Sequence, residues 1–291
     1  MYKTLKEVTQ IATELNMTIG AFNTHNLEML PEMLRAAKEM GSPIIIQTSI
    51  DTAKYIGYDV VVAVIKEIAE KEMVDAALHL DHARDFDEIK AAIDAGFSSV
   101  MYDGSHLPFK ENIAKTKAVV SYAHAHGVSV EGELGTIGGT EEGISVAEND
   151  KVYTRPEDAV EFVKQTGVDA LAIAIGTNHG QFKSKTDVNI PLLKEIHRVV
   201  DIPLVIHGGT GVKEEDYPEL INNGIRKFNV GTELLVNWTK EAKTAFTETE
   251  VNKSLRYNVI PANQKVKEIV KHKIGLFMNL EEPLVVGKRH E

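Results

Sequence analysis

Eight times along this chain an apolar, β-branched run bounded by turn residues gives way to a longer segment of helical period. Runs of period two followed by runs of period 3.6 are how strand–helix units read in sequence. The strands are expected at Ile19–Asn23, Pro43–Ser49, Ala76–His82, Ser98–Asp103, Val128–Leu134, Ala170–Gly176, Pro203–His207 and Ile225–Val230. The helices between and after them are expected at Leu27–Met40, Val60–Lys71, Phe86–Ala95, Glu111–His126, Pro156–Gln165, Ile190–Val200, Glu214–Asn222 and Leu234–Phe246. Gly96, Gly127, Gly167 and Gly224 stand just past helix ends, where a left-handed residue stops the last turn. Eight strands, each followed by a helix, meet the requirement of a (β/α)8 TIM barrel. An open doubly wound sheet is the alternative, because a count of units does not show closure. A helix before the first strand, Thr4–Asn16, and a helical tail after Thr247 decorate the unit. No linker rich in Pro, Gly or Ser divides the chain, and 291 residues suit one α/β barrel, so a single domain over 1–291 is predicted.

Charge and cysteine usage narrow the function. The formal net charge is −11, and no basic patch offsets it, which argues against a nucleic-acid partner. The chain has no cysteine, hence no disulfide framework and no thiolate chemistry. The first residues, MYKTLKEVTQIATELN, are amphipathic and lack the apolar core of a signal peptide. No apolar run reaches the length that spans a bilayer. A soluble cytoplasmic protein with no membrane partner is predicted.

Three of the eleven histidines close apolar runs: His82 in AALHLDHA, His179 in ALAIAIGTNHG and His207 in IPLVIHGG. They fall at the C-terminal ends of strands three, six and seven, which converge on one face of a barrel. A single histidine there is more commonly a hydrogen-bonded loop residue. Three in the same relation to strand and turn make a catalytic zinc site with an open fourth position. Asp81 and His82 pose a geometric problem, since neighbouring side chains of a regular strand point to opposite faces. A strand that stops at Leu80 or Asp81 would let the turn aim both into one cavity. Capping of the next helix, or a salt bridge to Arg84, is the competing role for Asp81. His79 is expected to pack or pair structurally.

The loops HGGTGV (His207–Val212) and FNVGTEL (Phe228–Leu234) expose backbone N–H groups at Gly208, Gly209 and Gly211 and add the Thr210 and Thr232 hydroxyls. Such loops after strands seven and eight bind phosphate, although glycine in a short turn can be purely conformational. Asp103, Glu131 and Glu133 lie at the ends of strands four and five, suited to orient metal ligands or to hold a second cation. The glycine-rich segment that follows carries Glu141 and Glu142 and suggests a lid bearing a base, or else a solvated acidic loop.

HLDH, GTNHG, HGGTG, EGELGTIGGTEEG and NVGTEL, in this order and spacing, resemble the class II, zinc-dependent ketose-bisphosphate aldolases. The likeness runs from GAFNTHN to about Arg256. It implies a barrel, reversible aldol cleavage of a phosphorylated ketose through a metal-bound ene-diolate, and a homodimer or homotetramer. It also implies zinc on His82, His179 and His207, with Asp103 and Glu133 at a second cation position. Asp81 would be the acid/base at the aldehyde oxygen, and Glu141 the loop carboxylate that removes the ketone-side proton. Gly180, Gly208, Gly209, Thr210 and the run Asn229, Val230, Gly231 and Thr232 would hold dihydroxyacetone phosphate, with Asn229 near the ene-diolate oxygen. Asn23 and Ser49 would line that pocket, and Arg256 would reach a distal phosphate.

Departures bear on the substrate. Thr210 stands where serine is usual, Thr140 where an acid is common, and Asn178 where a small residue often precedes the histidine. GTELLVNWTKEA is closer to relatives acting on tagatose or on deoxy-ketogluconate phosphates than to the fructose-bisphosphate enzymes. No lysine ends a barrel strand as a Schiff-base aldolase needs, although Lys183 and Lys227 lie nearby. A zinc-dependent barrel hydrolase and a non-catalytic aldolase-like subunit are the competing functions.

Overall fold

The computed structural model describes residues 1–141, 144–146, 152–179, 187–209, 211–250 and 253–279; for 138–141, 144–146 and 179 the backbone alone is described. Eight parallel strands close on themselves: Ile19–Asn23, Ile44–Thr48, Ala76–Ala83, Ser99–Tyr102, Ser129–Leu134, Ala170–Ile173, Leu204–Ile206 and Ile225–Val230. Strand eight pairs with strand one, Asn229 opposite Ala21, and strand three pairs with strand four to complete the ring. The fold is therefore the TIM barrel, and the open doubly wound sheet is excluded.

Alternation along the strands sorts side chains into two cores. Outward-facing residues such as Phe22, Ile46, Leu78, Val130 and Ile206 join the helices in the larger one. Inward-facing Ala21, Ile45, Ala77, Ala170, Ala172 and Val205 form a small apolar plug. Helix Leu5–Glu14, fixed at its start by a Thr4–Glu7 capping box, closes that end of the barrel with Leu5, Val8 and Ala12. Above this plug, on strands two, three, five and eight, the inward positions are polar: Gln47, His79, Glu131, Lys227 and Asn229, all at or below 6% exposure. The apolar layers stabilise the scaffold and the polar ones carry the chemistry.

Element ends differ from expectation where local chemistry outweighs periodicity. Strand six stops at Ile173 rather than Gly176, and strand seven at Ile206 rather than His207, because Gly176 and Gly208 take left-handed backbone just beyond. A short helix, Ile50–Ile56, N-capped by the Ser49 hydroxyl, precedes helix Tyr58–Glu72. Its seven residues bury only Ala53, so no apolar stripe announces it. The tail forms helix Arg256–Phe277, which lays Ala262, Val266, Val270 and Ile274 against the barrel. Its Phe277 meets Tyr217 and Phe228 at ring-centroid distances of 5.5 and 5.1 Å. Past strand five, Gly138–Glu141 and Ile144–Val146 form an antiparallel hairpin, and Asn178–His179 adds to it in parallel. This small sheet ties the loops after strands five and six together. None of the described helices is long and apolar enough to cross a membrane.

Candidate active site

Asp81 and His82 enter one cavity by a different device from the expected turn. Strand three does not stop at Leu80; it continues to Ala83 and bulges. Leu80 lies opposite Val100 and Ala83 opposite Tyr102, so one strand advances three residues while its neighbour advances two. His82 takes up the extra residue with φ of +49°. A bulge re-aims a side chain without ending the strand, at the cost of left-handed backbone at a non-glycine residue. The competing roles for Asp81 fall to its neighbours: Asp85 caps helix Phe86–Ala95, and Arg84 donates to Asp103 from Nε and Nη2 at 2.8 and 2.6 Å.

The bulge brings Asp81, His82 and His207 together, with one ligand atom from each lying within 4.8 Å of the others. His207 Nδ1 is 2.9 Å from His82 Nε2. The outer nitrogens of both rings face carboxylates. His207 Nε2 lies 2.7 Å from Glu131 Oε1, and His82 Nδ1 lies 3.6 Å from Asp103 Oδ2 and 3.9 Å from Glu133 Oε2. Burial alone would raise the Glu131 carboxyl, but the Lys227 charge and the His207 hydrogen bond hold it well below the usual carboxylate range. Asp103 is likewise held low: burial opposes, and His82, Ser105 and Arg84 outweigh it. Anionic oxygens favour N–H groups, so these carboxylates draw the ring protons toward the outer nitrogens. The inner nitrogens, 2.9 Å apart, are turned toward one point where a cation could take both.

That donor set fits a divalent metal. His82 and His207 supply imidazole nitrogens, and Glu133 places Oε2 3.6 Å from His207 Nδ1. Burial lowers the pKa of His207, which keeps the ring in the neutral form a metal needs. Of His179 only the backbone is described; Asn178 N donates to Gly208 O at 3.3 Å, which sets His179 beside the loop after His207. Asp103 spends Oδ2 on Arg84 and Oδ1 on the Ser105 amide and hydroxyl, at 3.1 and 2.6 Å, so its oxygens orient His82 more than they offer a second cation site.

Asp81 is 2% exposed and faces three amides. Its Oδ2 accepts from Gln47 Nε2 at 2.9 Å and Asn23 Nδ2 at 3.1 Å, and Asn229 Nδ2 lies 3.4 Å from Oδ1. Gln47 was missed in the sequence although IIIQTS places it two residues beyond the inward Ile45. A cleft of about 410 Å³ leads to this point, lined by Ser49, Asp51, Asp81, His82 and Arg84.

Both glycine loops are closely packed. Gly231 starts helix Thr232–Glu248, and a Cβ there would come within 2.8 Å of Asn23 Oδ1. A Cβ on Gly209 would sit 1.9 Å from the Phe228 ring. These two glycines are required by close packing, and Gly231 leaves its N–H at the start of helix Thr232–Glu248, suited to an anion. Val230 is buried at the end of strand eight. Gly180 and Thr210 lie outside the described residues, as do Glu142 and Lys183, and of Glu141 only the backbone in the hairpin is described. Arg256 is exposed at the first turn of the tail helix, where its Nη1 donates to Ser254 Oγ and its guanidinium lies over the Tyr257 ring.

A closed barrel with imidazoles and carboxylates gathered at the C-terminal ends of its strands is the architecture of an enzyme. The sequence profile of class-II fructose-bisphosphate aldolase matches residues 3–282, and the chain belongs to that family. It is thus a class II aldolase, a carbon–carbon lyase. It is 40% identical over 279 residues to the 6-phospho-5-dehydro-2-deoxy-D-gluconate aldolase of Bacillus licheniformis, covering 95% of this chain and 94% of that one. The YdjI aldolase of Escherichia coli K12 superposes with a TM-score of 0.82 at 33% identity, covering 95% of this chain and 97% of that one. The Campylobacter jejuni fructose-bisphosphate aldolase, at 22% identity and a TM-score of 0.79 with 95% of each chain covered, shares the fold.

Proposed function

We propose that this aldolase cleaves 6-phospho-5-dehydro-2-deoxy-D-gluconate between C3 and C4, giving dihydroxyacetone phosphate and 3-oxopropanoate, with a zinc ion at His82, His207 and His179. The observation that carries metal assistance is the inward pairing of His82 Nε2 and His207 Nδ1 at 2.9 Å, each ring held from behind by a carboxylate. The substrate is supported by the 40% identity to the 6-phospho-5-dehydro-2-deoxy-D-gluconate aldolase of Bacillus licheniformis.

A divalent cation held there supplies an electron sink at the C5 ketone. The rest falls to side chains. Asp81 accepts the C3 hydroxyl proton as the C3–C4 bond breaks and C3 becomes the aldehyde. Gln47 and Asn23 keep its carboxylate aimed. The electron pair of the broken bond moves toward C5, and Asn229 Nδ2 offers a donor beside the oxygens where negative charge grows. Glu141, on the hairpin after strand five, returns a proton to C4 to complete dihydroxyacetone phosphate. Backbone N–H groups of Gly208, Gly209, Gly231 and Thr232 hold the C6 phosphate at the helix start.

A coupled assay for triose phosphate across a panel of ketose phosphates, with and without chelator, tests this. The deoxy-ketogluconate phosphate should exceed fructose and tagatose 1,6-bisphosphates by about 10-fold or more in kcat/KM, the scale of one well-placed polar discrimination. Chelation should abolish turnover. A preference for either bisphosphate would replace the substrate, and full activity after metal removal would remove the cation.

A further inference from the structure

Lys227 sits on strand eight inside the barrel with no exposed surface, a position that is costly for an ammonium unless it is fully paired. Its Nζ donates to Asn229 Oδ1 at 2.7 Å and faces Glu131 Oε2 at 2.9 Å. Lys227 and Asn229 are two apart on one strand and so point the same way.

The two ends of an amide have nearly the same shape and opposite hydrogen-bonding sense. An ammonium only donates, so with Lys227 against Oδ1 the Asn229 amide has one acceptable orientation. Its Nδ2 then faces Asp81 Oδ1, 3.4 Å away. The reversed amide would set two donors against each other and turn its carbonyl oxygen toward a carboxylate. On its other side the same ammonium compensates Glu131, whose second oxygen takes the His207 Nε2 proton. One buried charge therefore touches the supports of both the proton-transfer group and the imidazole pair.

We propose that Lys227 is a positioning residue for aldol cleavage: it locks the Asn229 amide with Nδ2 toward Asp81 and the reacting oxygens and, through Glu131, sets the His207 ring. This rests on the reading that Asp81 and Asn229 serve the substrate. Lys227 lies beneath both, and its effect reaches the reaction through them.

Lys227→Met alone leaves Glu131 as an uncompensated buried carboxylate, so the decisive protein is Lys227→Met/Glu131→Gln, which removes both charges and keeps an acceptor for His207. With the best ketose phosphate of the panel, kcat should fall about 10- to 100-fold while KM changes less than about 3-fold, as for a misplaced transition-state donor. Zinc affinity, read by competition with a chromogenic chelator, should stay within about 3-fold, whereas Lys227→Met alone should lose about 10-fold or more. Asn229→Ala should cost the wild type a factor like that of the double change, yet add less than about 3-fold on top of it, because a mis-set amide has nothing left to lose. The proposal is overturned if the double variant turns over at the wild-type rate, if Asn229→Ala multiplies in full in that background, or if the double variant no longer unfolds cooperatively, which would make the pair a scaffold element only. Asp81→Ala, assayed in parallel, separates the two layers: wild-type activity there removes the underlying reading, while its loss beside a fully active double variant removes only the role of Lys227.

Discussion

His82 and His207 are 125 residues apart in the chain, yet Nε2 of one lies 2.9 Å from Nδ1 of the other, with the ring planes nearly perpendicular at 83°. With a carboxylate behind each ring, the two inner nitrogens are turned toward one point, where a shared cation would bind both. Purified protein should therefore carry about one zinc per chain, and His82→Ala or His207→Ala should reduce that to near zero by elemental analysis. Metal that binds only the folded state at 100 times its Kd adds about 2.7 kcal/mol, or roughly 5 °C in Tm for a chain of this size. A Tm indifferent to zinc and chelator would mean that the rings meet for another reason.

Gly209 and Phe228 test the phosphate loop. A Cβ at Gly209 collides with a ring that is itself held by Tyr217 and Phe277, at 5.3 and 5.1 Å between centroids. Gly209→Ala should cost about 1–3 kcal/mol, the usual penalty of overpacking. It should also raise KM for the ketose phosphate more than it lowers kcat, because the loop must shift away from the anion. Phe228→Leu added to it makes room for the methyl group and should recover part of both losses in urea unfolding and steady-state kinetics.

Much of this site was legible because a barrel gathers strand ends regardless of their separation in sequence. Eight apolar runs indicated the ring, and polar residues closing them (Asp81, His82, His179, His207) indicated the rim. What stayed hidden depends on contacts across strands. Nothing in LHLDHAR distinguishes a turn at Leu80 from a bulge at His82, since both place Asp81 and His82 together and only the register with Val100 and Tyr102 separates them. The pairing of Arg84 with Asp103 rather than Asp81, and the grip of Lys227 on Asn229, are likewise set by neighbours brought close by the ring. The hairpin after strand five was unreadable because its glycines carry no apolar alternation.

Asp81 and Asp85, four residues apart, should separate chemistry from stability. Asp85 Oδ1 accepts from the Asp87 and Glu88 amides at 2.7 and 3.3 Å, and its loss uncaps helix Phe86–Ala95. Asp85→Ala should cost about 0.5–2 kcal/mol with kcat changed by less than about 3-fold. Asp81→Ala should leave helix content intact and lower kcat by about 100-fold or more, the contribution of a positioned acid/base. Circular dichroism melts and single-turnover rates measure the two effects separately; an exchange of phenotypes would return the capping role to Asp81.

His79 links the interior to acid stability. The ring is fully buried, with Nδ1 2.7 Å from Ser99 Oγ, and burial is the largest cause that pushes its pKa from 6.5 down to about 3. A histidine kept neutral when folded binds its proton more readily once unfolded. Between about pH 6.5 and pH 3 the unfolded chain thus holds one extra proton at this position, and stability falls as pH falls. The contribution is complete above about pH 6.5 and declines by about 1.4 kcal/mol per pH unit below it. His79→Gln keeps a polar partner for Ser99 and has no proton to gain. Urea unfolding at a series of pH values should show the wild type losing stability more steeply than the variant by about that slope from pH 6 to pH 4. Parallel pH profiles would mean that His79 is protonated in the folded barrel, with Glu131, 3.5 Å from Nε2, as its counter-ion.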